Sequence, residues 1–415
     1  MKPELLAPVG DWETLSSAIK AGADAVYFGI KWINMRAGSA RNFDITEVKE
    51  VMDKLHKNKI RGYLTLNTVI YDHELDKVKR ILEEVKKTKV DAVIATDMAI
   101  VQMCQERNIE VHISTQLSVA NYESIKFFAN FSPRIILARE CSIDQIKSLK
   151  EQIKKDNLNY KGRPIELETF VHGSCRKKYK ITDVEDPRRE FILDENFILS
   201  PKDLCALPIL DKLQEAGVDV FKIEGRAKGP EYVYTVTKAY REAIDLISQK
   251  KFTQEKALAL VKELEKVFNR GFTDNFFLGT PTNDSWTKFY GSAAQEKKVK
   301  IGKVTKYYPN LKVAAVLMEE GELKKGDEIC FTGQTTGFYK TKVPELRKEN
   351  KIIVSARKGD EVSFMVQERV RPEDQVFVIQ PRNPEEETKQ QYENIGIHKP
   401  FKFINSRQEK TLSKK

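Results

Sequence analysis

Hydrophobic and polar residues follow two alternating patterns through the first 245 residues of the chain. Short runs rich in β-branched and aromatic residues precede longer stretches in which apolar residues recur every three or four positions. Eight strand-like runs stand out, at residues 4–9, 25–29, 61–67, 92–96, 110–115, 134–138, 165–172 and 219–224. Strands that alternate with helices form parallel sheets covered by helices. Eight repeats favour a closed TIM-type (β/α)8 barrel over an open doubly wound sheet, and no G-x-G-x-x-G pattern follows any run.

The helical stretches carry start signals and apolar stripes. Asp44 and Glu47 stand at the spacing of a capping box, in which each side chain accepts a hydrogen bond from the other's backbone amide. The apolar residues that follow fall on one helical face: Val48, Val51, Met52 and Leu55. The next helical stretch repeats this stripe at Leu75, Val78, Leu82 and Val85.

The pattern changes after the repeats and predicts an α/β chain with two domains. Residues 1–245 form the predicted barrel, which we expect to be the catalytic domain, and residues 246–297 form a helical connector. From 298 to 380, short β-rich runs separated by Gly, Asn and Pro predict a small antiparallel β-barrel. Residues 381–415 are charged and weakly patterned, and we expect a partly ordered tail.

Charge and cysteine content narrow the class of protein. The net charge of +10 favours a polyanionic partner such as RNA, although a generally lysine-rich surface explains it as well. The five cysteines are odd in number and form no C-x-x-C pair, so neither a zinc knuckle nor a secreted disulfide framework is supported. No apolar run is long enough to span a membrane, and the start of the chain lacks the apolar region of a signal peptide. We therefore expect a cytoplasmic protein without a membrane partner.

Polar residues occupy lumen-facing positions near the ends of the predicted barrel strands. Side chains alternate across a strand, and the polar member of each alternation is taken to face the lumen. These positions are Tyr63, Thr65, Asn67, His112, Ser114, Gln116, Arg139, Glu168, His172, Lys222 and Glu224, with Arg226 just beyond. Because buried polar groups without a partner are costly, the set predicts a ligand pocket at the C-terminal face of the barrel. The alternative is internal ion pairing, for example between Lys222 and Glu168.

Searches for hydrolase and nucleotide motifs find no match. The chain has no H-E-x-x-H, no G-x-S-x-G and no G-x-x-x-x-G-K-[ST]. A cysteine nucleophile formed by Cys175 and His172 stays open, because proximity in sequence does not fix geometry.

Ordered motifs across the chain resemble one family. They are the opening ELLAPVGDWETLSSAIKAGADAVYFG, NMRA (34–37), STQ (114–116), ETFVHG (168–173), SPKDLC (200–205) and FKIEGR (221–226). Together they resemble the U32 peptidase family, and the runs at 323–329 and 372–379 are similar to its C-terminal domain, which itself resembles the second domain of translation factors. Length and domain pair resemble the branch of prephenate-dependent tRNA hydroxylases. That resemblance implies conversion of a wobble-position uridine of tRNA to 5-hydroxyuridine.

The resemblance and the polar lumen together give each candidate residue an expected role. Catalytic candidates are His172, Glu224, Asn67 and Gln116, of which His172 and Glu224 are the acid–base groups. Candidates for binding prephenate are Arg139, Lys222, Arg226, Asn34 and Arg36, with Arg139 and Arg226 as carboxylate anchors. Candidates for binding RNA phosphates are Arg176, Lys177, Lys178, Arg188 and Arg189. The target base would have to be flipped out of the RNA to reach the pocket.

The sequence departs from the family pattern at the cysteines. The family has a cysteine-rich loop after the seventh strand that, with a later D-L-C, binds an iron–sulfur cluster. Here only Cys205, in the D-L-C, and Cys175 are matching candidates, whereas a 4Fe–4S cluster takes four thiolates. Cys104 and Cys330 are expected in the core, and Cys141 is a weak third candidate. Either the chain lacks the loop or the loop is missing from this sequence, and a collagenase-like peptidase or a cluster-less partner of a homologous hydroxylase remain alternatives.

Overall fold

The computed structural model describes residues 2–36, 38, 40–173, 201–281, 285–289 and 291–394, and the backbone of a strand pair at Tyr179–Thr182 and Glu190–Leu193. Its first part is a barrel of eight strands: β1 (Glu4–Pro8), β2 (Ala25–Phe28), β3 (Arg61–Leu66), β4 (Ala92–Ala95), β5 (Val111–Ile113), β6 (Arg134–Ile136), β7 (Glu166–Gly173) and β8 (Val220–Ile223). Each strand pairs in parallel with the next, and β8 also pairs with β1, so the barrel closes. All eight predicted strands are confirmed.

Helices cover the outside of the barrel. They are α1 (Trp12–Lys20), α2 (Val48–Lys57), α3 (Leu75–Lys87), α4 (Met98–Glu106), α5 (Tyr122–Phe128), α6 (Ile143–Lys155), α7 (Leu210–Glu215) and α8 (Pro230–Ser248). A ninth helix, α9 (Gln254–Glu265), buries Leu260 and Leu264 in the core of the barrel domain, and α10 (Pro384–Asn394) follows the second domain. Short 3-10 turns lie at 45–47, 72–74, 115–117 and 207–209.

The start of α2 confirms the predicted capping box. The Asp44 backbone amide donates to Glu47 Oε2 over 2.7 Å, and the Asp44 side chain accepts from the Thr46 backbone amide. The predicted stripe of α2 is buried in full. In α3 the buried stripe is Val78, Ile81, Leu82 and Val85, while Leu75 at the first position is only half-buried.

Short strands extend the sheet beside β7. Asp203–Cys205 pairs antiparallel with the end of β7, and Phe272–Thr273 pairs in parallel with Asp203–Cys205. A hairpin of Asn159–Tyr160 and Arg163–Pro164 precedes β7. The extra strands attach the segment after α9 to the carboxyl end of β7.

The second domain is antiparallel, as predicted. Its strands are β9 (Glu296–Tyr308), β10 (Val313–Met318), β11 (Glu322–Lys324), β12 (Glu328–Gly333), β13 (Gly337–Lys342), β14 (Leu346–Lys348), β15 (Lys351–Ile353), β16 (Ser355–Arg357), β17 (Glu361–Met365) and β18 (Gln375–Pro381). Eight of them form one sheet in the order β13-β12-β18-β9-β10-β17-β14-β15, and β11 pairs with β16. The hydrogen-bonded ladder is open between β13 and β15 in the residues that the structure describes. A separate hydrophobic core, including Ile301, Val316 and Phe331, holds the domain together.

The two domains meet along α1. Ser16 Oγ donates to the backbone oxygen of Gln334 over 2.5 Å, and Lys20 Nζ donates to the backbone oxygens of Thr336 and Phe338 and to Glu368. A Cβ on Gly337, whose φ is +67°, would lie 2.8 Å from the Ser17 backbone nitrogen. This turn therefore needs glycine both for its backbone and for the close approach to α1. Among the described helices, none is long and apolar enough to cross a membrane.

Candidate active site

Glu224 lies between two arginines at the carboxyl ends of the barrel strands. Its Oε1 lies 3.0 Å from Arg36 Nη2, and its Oε2 lies 3.4 Å from Arg139 Nη2. Arg36 comes from the loop after β2, Arg139 from the loop after β6, and Glu224 directly follows β8. The arginine side chains are 21% and 26% exposed, so a dissolved ligand can reach them. The guanidinium of Arg139 also stacks 4.2 Å above the ring of Phe170 on β7.

Arg226 is buried next to this cluster and is held by neutral groups. Its Nη1 donates to Thr65 Oγ1 over 2.9 Å and its Nη2 to Asn34 Oδ1 over 3.1 Å. Asn34 in turn donates through Nδ2 to the Ile30 backbone oxygen over 2.6 Å. A Cβ on Gly29 would lie 2.3 Å from Arg226 Nη1, so the absence of a side chain there makes room for the guanidinium. Burial lowers the pKa of Arg226 below its ordinary value.

Beneath this cluster, a chain of buried ion pairs continues down the lumen. Lys222 Nζ lies 2.7 Å from Glu168 Oε1, Glu168 Oε2 lies 3.7 Å from Arg134 Nη1, and Arg134 Nη1 lies 2.8 Å from Glu4 Oε1. Burial by itself would raise the pKa of Glu168, but Lys222 and Arg134 outweigh it and hold the pKa below its ordinary value. Burial likewise lowers the pKa of Lys222. Lys222 therefore has the ion-paired environment that the sequence offered as the alternative to a ligand contact.

His172 does not join the Glu224 cluster. Its ring packs against Tyr232, Tyr240 and Phe272, with centroid distances of 5.6–5.9 Å, and its Nδ1 lies 3.4 Å from Tyr240 Oη. Burial lowers the pKa of His172 to about 4. The pairing of β7 with β8 skips Val171, and this bulge shifts the alternation of side chains by one residue. His172 consequently faces the aromatic residues of α8 instead of the lumen.

Cys205 lies beside His172, away from the arginines. The two residues are partners in the ladder between β7 and Asp203–Cys205, and Tyr240 Oη lies 4.0 Å from Cys205 Sγ. Burial raises the pKa of the Cys205 thiol to about 12. Cys205 and His172 are thus a buried neutral thiol next to a neutral imidazole.

The remaining predicted residues are divided between the site and its surroundings. Asn67, after β3, is half-buried, and its Oδ1 has no hydrogen-bond partner in the described part of the chain. Gln116 is exposed on a 3-10 turn, where its Oε1 accepts from Thr96 Oγ1 over 2.9 Å. Several predicted residues lie outside the described part of the chain: Cys175 and the predicted phosphate-binding residues Arg176, Lys177, Lys178, Arg188 and Arg189.

The cysteines that the structure describes do not fit an iron–sulfur cluster. Cys104 lies in α4, Cys141 follows β6, Cys205 lies beside β7 and Cys330 lies in β12, and all four are buried and free. Within the described ranges, no three His, Cys, Asp or Glu side chains come together as metal ligands. Cys205 alone cannot replace the four thiolates of such a cluster. We assign no chemical step to it.

Aromatic residues under the arginines were missed by the sequence analysis. The ring of Tyr27 on β2 lies 4.6 Å from Lys222 Nζ, and its hydroxyl donates to the Ile223 backbone oxygen over 2.8 Å. Phe170 lies under both Arg139 and Lys222. Aromatic residues in strands are ordinarily core residues, so their type carried no signal. One indication was present in the sequence: Phe170 is two residues after Glu168, so the two side chains are expected on the same, lumen-facing side of the strand.

The family model for peptidase family U32 matches residues 10–174 and 173–287, and the chain belongs to this family. The two matched segments meet at residues 173 and 174, where the sequence departs from the family's cysteine-rich pattern. A collagenase of Porphyromonas gingivalis is 40% identical over 408 residues, covering 91% of this chain and 98% of the relative. An uncharacterized protease of Methanocaldococcus jannaschii is 36% identical with the same coverage of both chains. The tRNA hydroxylation protein P1 of Bacillus subtilis is 31% identical over 369 residues, covering 80% of this chain and 84% of the relative.

Proposed function

We propose that this protein is a tRNA-modifying enzyme that hydroxylates wobble uridine to 5-hydroxyuridine with prephenate as cosubstrate. The observation that carries the proposal is the site at the mouth of the barrel, where Arg36 and Arg139 flank Glu224 and Arg226 lies beside them. A relative that is 31% identical is named a tRNA hydroxylation protein, which supports RNA as the substrate. The net charge of +10 favours the same partner.

The charge of the site suits a dicarboxylate such as prephenate. Three guanidinium cations and one carboxylate, Glu224, leave these four groups with a net charge of +2. Planar guanidinium groups bind carboxylates through paired hydrogen bonds, which fix orientation as well as charge. Arg36 and Arg139 therefore bind the carboxylates, while buried Arg226 supplies positive potential from its fixed position.

Glu224 is also a candidate proton acceptor, in addition to its ion pairs with the two arginines. It lies between both guanidinium groups, where a carboxylate can accept a proton from a bound ligand or base. A flipped uridine placed at the mouth of the barrel would meet Glu224 and Asn67, whose Oδ1 can accept a hydrogen bond from the base. These residues bind and orient the substrates and move a proton.

A collagenase-like peptidase is the second candidate, and the names of two relatives favour it. A cysteine peptidase needs a thiolate activated by a histidine. Cys175 lies outside the described residues. Cys205, which pairs with His172 in the ladder beside β7, is a buried thiol whose pKa is about 12, and His172 has a pKa of about 4. This pair is poorly suited to nucleophilic attack. The hydroxylase is therefore the better-supported function.

The decisive measurement is mass spectrometry of tRNA nucleosides from a strain that lacks this gene and any second homologue. Complementation with the wild-type gene should restore 5-hydroxyuridine, whereas Arg139→Ala should not. Arg357→Ala is the matched control, because Arg357 lies in the second domain, is 79% exposed and lies 3.6 Å from its partner Glu322. Normal 5-hydroxyuridine in the uncomplemented strain would reject the tRNA assignment. Cleavage of gelatin by the purified protein would then favour the peptidase.

A third possibility, a cluster-less partner of a homologous hydroxylase, makes a separate prediction. Purified full-length protein would contain no iron or sulfide and would hydroxylate tRNA only when mixed with an intact homologue. Activity of the isolated protein with prephenate would reject this alternative.

A further inference from the structure

Large apolar and aromatic side chains are exposed on two neighbouring loops beside the site. Trp32 is 61% exposed and Met35 is 58% exposed on the loop after β2, which also carries Arg36. Val69 and Tyr71 are 69% and 63% exposed on the loop after β3. Because β2 and β3 are adjacent parallel strands, both loops lie at the carboxyl end of the barrel. Exposed apolar side chains that cluster in this way mark binding surfaces.

Two contacts hold these aromatic rings in place. Lys77, in the first turn of α3, places its ammonium 4.3 Å from the centroid of the Trp32 ring and so connects the loop after β2 to the helix that follows the second loop. Tyr71 stacks on His73, with 5.9 Å between ring centroids and 12° between ring planes. The rings are therefore ordered by neighbouring side chains, yet a large part of their surface stays open to solvent.

Trp32 also adopts a backbone conformation that is unfavourable for its type. Its φ is +132°, in the region where glycine is favoured and a bulky side chain is strained. Such strain persists where the surrounding structure imposes it, and it is concentrated at functional sites. An exposed tryptophan in a strained conformation gains little from folding, which points to a gain from binding.

We propose that Trp32 and Tyr71 form a stacking platform for the bases that flank the flipped target nucleotide in single-stranded RNA. The inference rests on the proposed function and adds the surface that holds the RNA at the site. Base–aromatic stacking is sequence-tolerant and needs exposed rings close to cations. The loop from Lys31 to Arg41 carries three cations. Arg36 pairs with Glu224 in the cosubstrate site. Lys31 and Arg41 are exposed and lie 3.8 Å from Asp44 and 3.4 Å from Asp11, so RNA phosphates can compete for them. Lys77 adds a fourth charge against the Trp32 ring.

The second loop and the start of α3 carry carboxylates of their own. Glu74 accepts a hydrogen bond from the Tyr71 backbone amide over 3.0 Å, and Asp76 pairs with Lys79 at 3.0 Å. Asp72 is the further carboxylate of this loop. Phosphates are therefore expected to follow the loop after β2, while Tyr71 contributes its ring.

The test measures binding of a seven-nucleotide single-stranded RNA with a central uridine to the full-length protein. Stacking should quench the fluorescence of Trp32, the most exposed of the three tryptophans. We expect Trp32→Ala and Tyr71→Ala each to weaken RNA affinity about tenfold without changing its salt dependence. Trp32→Phe should keep most of the affinity while losing the quenching signal. Phe127→Ala, which removes another exposed ring on α5, should bind as the wild type does.

Trp32→Gly separates a binding role from a structural one. Glycine relieves the backbone strain, so the thermal midpoint should stay at or above that of the wild type while RNA affinity falls. A lower thermal midpoint that accompanies weaker binding in both Trp32 variants would assign the side chain to loop folding and overturn the platform. Unchanged affinity in the Ala variants, together with normal tRNA hydroxylation, would reject the platform and leave the function standing. Absence of RNA binding by the wild type would reject both.

Discussion

The charged residues in the barrel lumen form two layers with different tasks. In the lower layer, Glu4, Arg134, Glu168 and Lys222 neutralise one another and are closed to solvent. In the upper layer, positive charge exceeds negative charge and the arginines at the mouth are partly exposed. A buried layer without excess charge suits the barrel interior, whereas an accessible layer that carries three arginines suits the anionic cosubstrate of the proposed function.

At this scale the first prediction concerns the two exposed arginines of the upper layer. Arg36→Ala or Arg139→Ala should raise the KM for the carboxylate cosubstrate roughly tenfold or more, because a charge-assisted hydrogen bond contributes about 1.5–3 kcal/mol. The loss of binding free energy for the cosubstrate in the double variant should be less than the sum of the losses in the two single variants, since both arginines contact Glu224. Steady-state kinetics with tRNA held at saturation measures this. An unchanged KM in both single variants would remove these residues from the cosubstrate site.

The lower layer gives a stability prediction with a definite pH dependence. Lys222→Met should reduce the free energy of unfolding by about 3–5 kcal/mol at pH 7.5, because Glu168 stays buried without its closest cation. Burial then dominates and raises the pKa of Glu168, so protonation at lower pH relieves the unpaired charge. The deficit relative to wild type should therefore shrink at pH 5.5. In the wild type the pKa of Glu168 is depressed, so ionised Glu168 contributes to the free energy of unfolding at both pH values. That contribution is lost only as the pH falls through the depressed pKa.

Urea denaturation of three variants tests this interpretation. Glu168→Gln combined with Lys222→Met should recover most of the lost stability, since both charges are gone. Lys49→Met, which breaks an exposed pair with Asp53 on α2, is the control and should not change stability measurably. A deficit in Lys222→Met that is independent of pH would mean that packing, and not the charge of Glu168, accounts for it.

At the level of elements, the regular repeats were predictable and the irregular backbone was not. All eight strands and the capping box before α2 follow from local patterns, because barrel strands and helix starts are encoded in adjacent residues. Alternation also predicted that Glu168 and Lys222 face the lumen. It misplaced His172 because the bulge at Val171 reverses the alternation, and no neighbouring residue marks that bulge. The aromatic support under Arg139 comes from tertiary contacts that a sequence pattern does not specify.

The third prediction concerns the loop that leaves β2. Gly29→Ala would place a Cβ 2.3 Å from Arg226 Nη1, 2.7 Å from Asn42 Oδ1 and 2.8 Å from Asn34 Nδ2. The side chains around Arg226 must then move, so hydroxylation should fall at least tenfold, because small displacements of positioned groups are costly in catalysis. Gly38→Ala on the same loop is the matched control, since its Cβ would meet no atom of the described residues within 4 Å. Equal activity of the two variants would show that hydroxylation does not depend on the exact position of the Arg226 guanidinium.

At the scale of the whole molecule, the two domains are fixed to each other through α1 and the turn at Gly337. Apart from the ion pair between Lys20 and Glu368, the contacts of Ser16 and Lys20 are made with backbone oxygens of the second domain, so they depend little on its side chains. If the protein binds a large RNA as proposed, that RNA meets a surface of fixed shape.

The final prediction is the salt dependence of tRNA binding by this surface. Each phosphate contact that releases counterions contributes roughly 0.7–0.9 to the slope of log affinity against log salt concentration. Replacing Arg176, Lys177 and Lys178 together with alanine should weaken binding and reduce that slope by about two to three. Arg139→Ala should leave the slope unchanged, because Arg139 is assigned to the cosubstrate. Replacement of the exposed Lys147, Lys154 and Lys155 on α6 controls for the loss of net charge and should have a much smaller effect. Equal changes in slope for the two triple variants would mean that RNA responds to overall charge, and the assignment of a phosphate-binding cluster after β7 would be wrong.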